Sequence, residues 1–125
     1  MKKEAIRTLE APQPTGVYSQ AIRVNNLVFL AGQGPFARSG QLLAGSFEEQ
    51  ARQTLTNLAS VAHAAGGSLA DAVRVGVYLR DMGNFQMMND LFREFFPDPP
   101  PARTTIQSNL PGFEIEVDAI LSLDV

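Results

Sequence analysis

The stretch GSFEEQARQTLTNLASVAHAAGG, residues 45–67, decides how the rest of the chain is interpreted. Ser46 and Glu49 have the spacing of a capping box, in which each side chain satisfies a backbone N–H at the start of a helix. Gly66 and Gly67 supply the glycine stop that commonly follows a last turn. Between these signals, steps of four and three residues place one apolar stripe along a helix, formed by Ala51, Leu55, Leu58, Ala62 and Ala65.

The residues after this helix predict a strand and a second helix. In DAVRVGVYLRD, residues 71–81, apolar residues alternate with the others at the period of a strand that has one buried face. The apolar set is Val73, Val75, Val77 and Leu79. A helix is then expected from Asn84 as N-cap until Pro97 ends it. Its apolar side would consist of Phe85, Met88, Phe92 and Phe95.

Towards the start of the chain, the run AIRVNNLVFLAG predicts a β-hairpin near residues 21–31. Asn25 and Asn26 tolerate the positive φ values that a two-residue hairpin turn requires. Residues 27–31 are apolar at every position, so we expect both sides of that strand to be covered.

The last third contains two more predicted strands. ARTTIQSN, residues 102–109, and EIEVDAILSLDV, residues 114–125, flank a Pro111–Gly112 pair that suits the centre of a type II turn. We therefore expect the two strands to be neighbours.

Together the elements predict one α+β domain over residues 1–125, with two helices packed on one sheet. Two helices cover only one face of a sheet. Since residues 27–31 look buried on both sides, a second copy of the chain is expected on the other face, and the sequence predicts a homo-oligomer.

The composition limits the function classes. With 125 residues, a net charge of −3 and no cysteine, the chain has no basic excess for nucleic acid and no thiolate chemistry. No apolar run approaches the roughly 20 residues that a membrane span needs, and no leader pattern follows the first lysines. We expect a cytoplasmic protein without metal ligands, since neither a metal set nor a nucleophilic triad can be assembled.

Arg103 is the first candidate for chemistry, as a group that binds a carboxylate. Its guanidinium is always charged and offers a planar fork that matches both carboxylate oxygens. The preceding PDPPPA segment, residues 97–102, is stiff and would present Arg103 at low entropic cost. The spacing alone also fits a surface arginine paired with an acidic side chain.

Glu116 is the second candidate, because a carboxylate in a partly dry site can orient or deprotonate water. It shares a strand face with Glu114 and Asp118, and the alternative interpretation is an ordinary solvated face. If the last two strands pair, Arg103 lies opposite Ile120 and Glu116 opposite Gln107, on one face. The two groups would then be about 13 Å apart, and would meet only across a subunit interface.

The remaining polar candidates have ordinary alternatives. Tyr18 and Asn89 could each donate a hydrogen bond into a pocket, although packing or solvation explains them equally well. His63, the single histidine, lies within the first predicted helix with no neighbouring ligand set, so we interpret it as a bystander.

The order of motifs along the chain resembles the RidA (YjgF) family of reactive-intermediate deaminases. The signature PARTTIQ (101–107) with IEV (115–117) follows GVYSQA (16–21), LAGQ (30–33), QARQTLTNL (50–58), DAVRVGVYLRDM (71–82) and NDLFREFF (89–96). The resemblance implies a chorismate-mutase-like α+β fold, a homotrimer with clefts between subunits, and hydrolysis of enamine or imine acids to 2-keto acids and ammonia. These include 2-aminoacrylate, 2-iminopropanoate and 2-iminobutanoate, with no cofactor.

The resemblance also implies roles for single residues. Arg103 corresponds to the carboxylate-binding arginine and Glu116 to the glutamate that holds the attacking water. Tyr18, Gly32 and Asn89 match pocket positions, and Thr105 stands where many members have cysteine. Gly34 stands where a larger apolar residue is common, which predicts a wider pocket. Two alternatives stay open: a trimer that binds small carboxylates without turnover, and a pathway deaminase for a larger enamine.

Overall fold

A computed structural model describes residues 2–124 as one mixed sheet of six strands with two α-helices on one side. The strands are β1 (Glu4–Ile6), β2 (Ala21–Val24), β3 (Leu27–Gln33), β4 (Ala72–Leu79), β5 (Ala102–Gln107) and β6 (Ile115–Ser122). The helices are α1 (Phe47–Ala64) and α2 (Phe85–Phe95), and short 3₁₀ turns precede β4 and α2. The predicted α+β class with two helices on one sheet is confirmed.

Helix α1 begins and ends where its sequence indicates. Ser46 accepts a hydrogen bond from the Glu49 N–H, and the Glu49 side chain accepts one from the Ser46 N–H, which completes the capping box. The chain leaves the helix at Gly66, whose φ of 91° is one that side chains on other residues disfavour. The predicted apolar stripe is buried throughout.

Helix α2 runs as predicted from Asn84 towards Pro97, with Met88 and Phe92 buried. The Asn84 side chain forms no capping hydrogen bond within residues 2–124, so its predicted capping role is wrong. The cap belongs to the preceding 3₁₀ turn, where Asp81 accepts a hydrogen bond from the Gly83 N–H.

The order of the sheet is β1-β2-β3-β6-β4-β5, so the predicted pairing of the last two strands is wrong. Strand β4 lies between them, parallel to β5 and antiparallel to β6. Helix α2 is the crossover connection that a parallel pair requires. The chain does turn at Gly112, which has a φ of 85°, but residues 108–114 pass across the end of β4 before β6 begins.

The β2–β3 hairpin is confirmed, with Asn25 at a φ of 56° in its turn. The expectation that both sides of β3 are covered is not met within one chain. Val28 and Leu30 face the helices and are buried, whereas Phe29 is 43% exposed on the opposite face. That uncovered side of the sheet is called the open face below.

The alternation predicted for β4 holds from Val75 onwards and fails at Val73, which is 47% exposed. The register against β6 shifts between Ala72 and Arg74, which marks a β-bulge. The extra residue of the bulge moves Ala72, instead of Val73, to the buried side.

The core fills the space between the helices and the covered face of the sheet. Its sheet side comes from the alternate residues of β6 and β4, and its helix side from the apolar stripe of α1 and from Met88 and Phe92. None of the helices formed by residues 2–124 has the length and apolar character needed to cross a bilayer.

Candidate functional site

Arg103 lies on the covered face of β5, at the edge of the sheet. Its guanidinium carbon is 5.5 Å from the ring centroid of Phe85 and 5.1 Å from that of Phe92, both on α2. Such contacts stabilise a cation while leaving its N–H donors free. Within residues 2–124 the guanidinium forms no hydrogen bond or ion pair, so the alternative of a surface arginine paired with an acidic side chain does not describe it.

Arg103 opens into a broad cavity of about 710 Å³. Asn89 lines this cavity, as do Pro100 and Pro101 of the stiff segment before β5. Burial lowers the pKa of Arg103. Because the ordinary pKa of an arginine is very high, the guanidinium still stays charged. The cavity therefore presents a partly desolvated cation with unused donors, which is an anion-binding arrangement.

Thr105 lies two residues further along β5, on the same covered face. Its hydroxyl oxygen is buried and has no hydrogen-bond partner within the described part of the chain. An unsatisfied hydroxyl beside Arg103 is a further polar group that a ligand or water could meet.

Glu116 lies on the open face of β6, where a glycine leaves room for it. A Cβ atom on Gly32 would come within 2.5 Å of the Glu116 Oε2 atom, so the absence of a side chain at position 32 lets the carboxylate lie against β3. Burial, and then the charge of Asp118, raise the pKa of Glu116. A carboxyl group with a raised pKa takes up and returns a proton more readily near neutral pH.

A second cavity, of about 310 Å³, brings Glu116 together with Tyr18 and Gly32. The Tyr18 side chain is half exposed, and its hydroxyl oxygen accepts a hydrogen bond from the Thr15 N–H. Three of the predicted site residues thus meet in this cavity, and Arg103 and Asn89 meet in the other.

The two cavities are not on the same face of the sheet. Arg103 pairs in register with Val75, whose side chain is buried against the helices, whereas Glu116 pairs with Tyr78 on the open face. The prediction that Arg103 and Glu116 share a face is therefore wrong, because β4 is inserted between their strands. One chain does not bring the two groups together.

Beside Glu116 the open face carries a polar cluster around Asp118, whose partners Tyr78 and Gly76 the sequence did not single out. Asp118 accepts hydrogen bonds from the Tyr78 hydroxyl at 2.9 Å and from the Gly76 N–H at 3.2 Å. A Cβ on Gly76 would lie 2.6 Å from the Asp118 Oδ1 atom, so this glycine also makes room for an acid. The hydrogen bond to Asp118 is the main reason why the pKa of Tyr78 is raised.

Sequence analysis also missed the aromatic end of the smaller cavity. Phe36 and Phe113 line it and contact each other edge to face, with ring centroids 5.3 Å apart. A Cβ on Gly34 would lie 2.8 Å from the Phe36 ring. The expectation that Gly34 widens the pocket is therefore wrong, because Phe36 occupies the space. The contact between Phe36 and Phe113 could not be predicted, because the two residues are far apart in the sequence and no short-range pattern connects them.

Within residues 2–124, no three His, Cys, Asp or Glu side chains gather into a group that could hold a metal ion. One cavity offers the guanidinium of Arg103, and the other offers the carboxyl group of Glu116, with its raised pKa, and the hydroxyl of Tyr18.

Comparison with known proteins identifies the relatives of this chain. The sequence model of the family described as Endoribonuclease L-PSP matches residues 8–122. A RutC family protein of Pyrococcus horikoshii is 44% identical over 121 residues, covering 94% of this chain and 96% of that protein. The 2-iminobutanoate/2-iminopropanoate deaminase of Dermatophagoides farinae is 38% identical, covering 98% of each.

Solved structures agree with the sequence relatives. The crystal structure of RidA from an Antarctic Psychrobacter species superimposes with a TM-score of 0.90 at 36% identity, covering 96% of this chain and 99% of that one. The chain therefore belongs to the Endoribonuclease L-PSP family, which is the RidA (YjgF) family that the order of its motifs indicated.

Proposed function

We propose that this protein hydrolyses reactive enamine and imine acids, among them 2-aminoacrylate, 2-iminopropanoate and 2-iminobutanoate, to 2-keto acids and ammonia. The observation that carries the proposal is the guanidinium of Arg103, held over two phenylalanine rings without an anionic partner among residues 2–124. A carboxylate is the common feature of the proposed substrates, and a bidentate pair with arginine recognises it. The deaminase name of the Dermatophagoides farinae relative supports the reaction class.

In the proposed reaction Glu116 holds the attacking water. The water oxygen bonds to the electrophilic imine carbon while the Glu116 carboxylate accepts one water proton. The proton then passes to the substrate nitrogen, which regenerates the Glu116 carboxylate. As the carbon–nitrogen bond breaks and ammonia leaves, the carboxylate accepts the proton of the added hydroxyl group, and the carbonyl of the keto acid forms. A protonated imine is already electrophilic, so the site needs only to orient the substrate and carry a proton.

The two halves of the site would come from different copies of the chain. Arg103 and Glu116 lie on opposite sides of the sheet in one chain, and the open face carries exposed apolar side chains at Leu27, Phe29 and Ile106. A second copy placed on this face would cover that surface and could bring its own Arg103 towards Glu116. We propose a homotrimer in which each cleft uses residues of two subunits.

Replacement of Arg103 tests the reaction directly. Arg103→Ala should lower kcat/KM for dehydratase-generated 2-aminoacrylate about a hundredfold, since a lost charge-assisted contact costs about 3 kcal/mol. Ammonia release is measured against the spontaneous rate. Arg38→Ala, which removes an exposed arginine paired with Glu10, is the matched control and should keep full activity. Unchanged ammonia release by Arg103→Ala would remove this residue from the mechanism.

A non-catalytic carboxylate-binding trimer is the second candidate. It is favoured by the separation within one chain, because Glu116, the group proposed to hold the water, lines the other cavity and not the one that Arg103 lines. Calorimetry with 2-ketobutyrate separates the two. Tight binding together with no acceleration of imine decay would support the binding protein and contradict the enzyme.

A further inference from the structure

The aromatic end of the smaller cavity, formed by Phe36 and Phe113, is not needed for the proposed hydrolysis of the shortest substrates. In that reaction Arg103 binds the substrate carboxylate, and Glu116 holds the water that attacks the imine carbon. Phe36 nevertheless projects its ring into the space beside Gly34, and Phe113 supports that ring from the other side.

This aromatic wall is held rigidly by a buried amide. Asn57 is 1% exposed and donates hydrogen bonds to the carbonyl oxygens of Gly34 at 3.1 Å and of Phe36 at 2.8 Å. Its own side-chain oxygen accepts a hydrogen bond from Gln53. The backbone on both sides of Pro35 is thereby fixed, so the Phe36 ring has a defined place at the end of the cavity.

The wall and Glu116 line the same cavity, so the length of the substrate side chain decides how much of the wall it covers. Glu116 contacts the space above Gly32, and Phe36 contacts the space above Gly34, two residues further along the chain. Two residues of extended chain span about 7 Å. A methyl side chain ends about 1.5 Å from the carbon that carries it. A three-carbon imino acid attacked at Glu116 therefore places only a methyl group towards the wall, whereas a longer side chain covers more of the two rings.

We propose that Phe36, supported by Phe113, is a specificity-determining residue that binds the substrate side chain, so that 2-imino acids with apolar side chains of about four carbons or more, aromatic ones included, are preferred. This inference rests on the proposed function and names its preferred substrates. Aromatic and aliphatic groups gain both buried area and edge contacts against such a wall.

The test compares imines of different length in one assay. An L-amino-acid oxidase supplies the imines of alanine, leucine and phenylalanine, and their decay is followed with and without the protein. The wild type should have a higher kcat/KM for the leucine and phenylalanine imines than for the alanine imine. Phe36→Ala should reduce that preference about tenfold or more, because contacts of this size are worth at least that factor in specificity.

Two further variants keep the test interpretable. Phe36→Leu retains apolar bulk and should restore part of the preference. Leu42→Ala is the control, because Leu42 faces Phe36 across a single β-bridge but does not line the cavity. If the wild type is active and Phe36→Ala keeps its preference for long imines, or if the wild type has no such preference, the inference is wrong. If the wild type accelerates no imine, the proposed function itself fails, and the inference with it.

Discussion

Glu116 is placed so that two influences raise the pKa of its carboxyl, burial first and the charge of Asp118 second. Asp118 is itself fixed by the Tyr78 hydroxyl and the Gly76 N–H. The negative charge beside Glu116 disfavours its ionised form, and the same charge would attract a cationic iminium substrate. At the scale of single residues, the acid–base behaviour proposed for Glu116 is therefore tuned by a neighbour that need not touch the substrate.

Asp118→Asn should shift the acid limb of the kcat/KM profile to lower pH. Removing the neighbouring charge lowers the pKa of Glu116, so the carboxylate that holds water persists further into acid. The measurement is kcat/KM for one imine between about pH 4 and 9, a range that reaches below the usual carboxyl value near 4.3. Asp90→Asn, which makes the same charge change on the exposed side of α2, should leave the profile in place. An acid limb that moves upward in Asp118→Asn would contradict the assignment.

Among the elements, α1 is specified most completely by its own sequence. Its capping box is formed by local residues, and its buried stripe follows the helical period. It supplies the helix side of the core beneath β3 and β6, the two strands that carry Gly32 and Glu116. The stability of the helix therefore bears directly on the strands that position the smaller cavity.

Ser46→Ala should lower the unfolding temperature by about 3 to 6 °C, because loss of such a cap costs about 1 kcal/mol. Ser60→Ala is the matched control. It makes the same chemical change inside the helix, where alanine is the better helix former, and should not lower the midpoint. Thermal unfolding followed by circular dichroism measures both. Equal midpoints for wild type and Ser46→Ala would show that the cap contributes nothing to stability.

Signals that act over a few residues could be predicted, and those that depend on distant strands could not. The hairpin turn at Asn25, the capping box of Ser46 and the turn at Gly112 are local chemistry, and all three are confirmed. The turn at Gly112 looks the same whether the flanking strands pair directly or with β4 between them. The chemistry of Arg103 and Glu116 therefore predicts them as candidates, but the ambiguity of the turn leads the sequence to place them on one face.

At the scale of the whole molecule, the arrangement of the sheet separates the two candidate groups and leaves an apolar surface uncovered. Arg103 faces the helices, Glu116 faces outward, and Phe29 lies on the same open face as Glu116. The proposed assembly would satisfy both features at once, since one contact between copies would cover the surface and complete the site. The sharing of the site between two copies is open to a direct test.

Two inactive variants should restore each other when mixed. Arg103→Ala and Glu116→Gln each lack one half of the site, but a hybrid assembly contains clefts with an intact arginine from one variant and an intact glutamate from the other. Co-refolded mixtures should therefore regain imine hydrolysis that neither variant shows alone. Mixtures that stay inactive, although native mass spectrometry shows mixed trimers, would indicate that each cleft draws both groups from one chain.

The central place of β6 also has a consequence for how the chain acquires its structure. β6 follows all the other strands in sequence, yet it is the single link between β1–β2–β3 and β4–β5. Until β6 is synthesised, β3 and β4 each have an edge without a partner strand. Because β6 pairs with both, the sheet can be completed only after the rest of it has been synthesised. The sheet is therefore completed in one late step, in which β6 gains both of its neighbours.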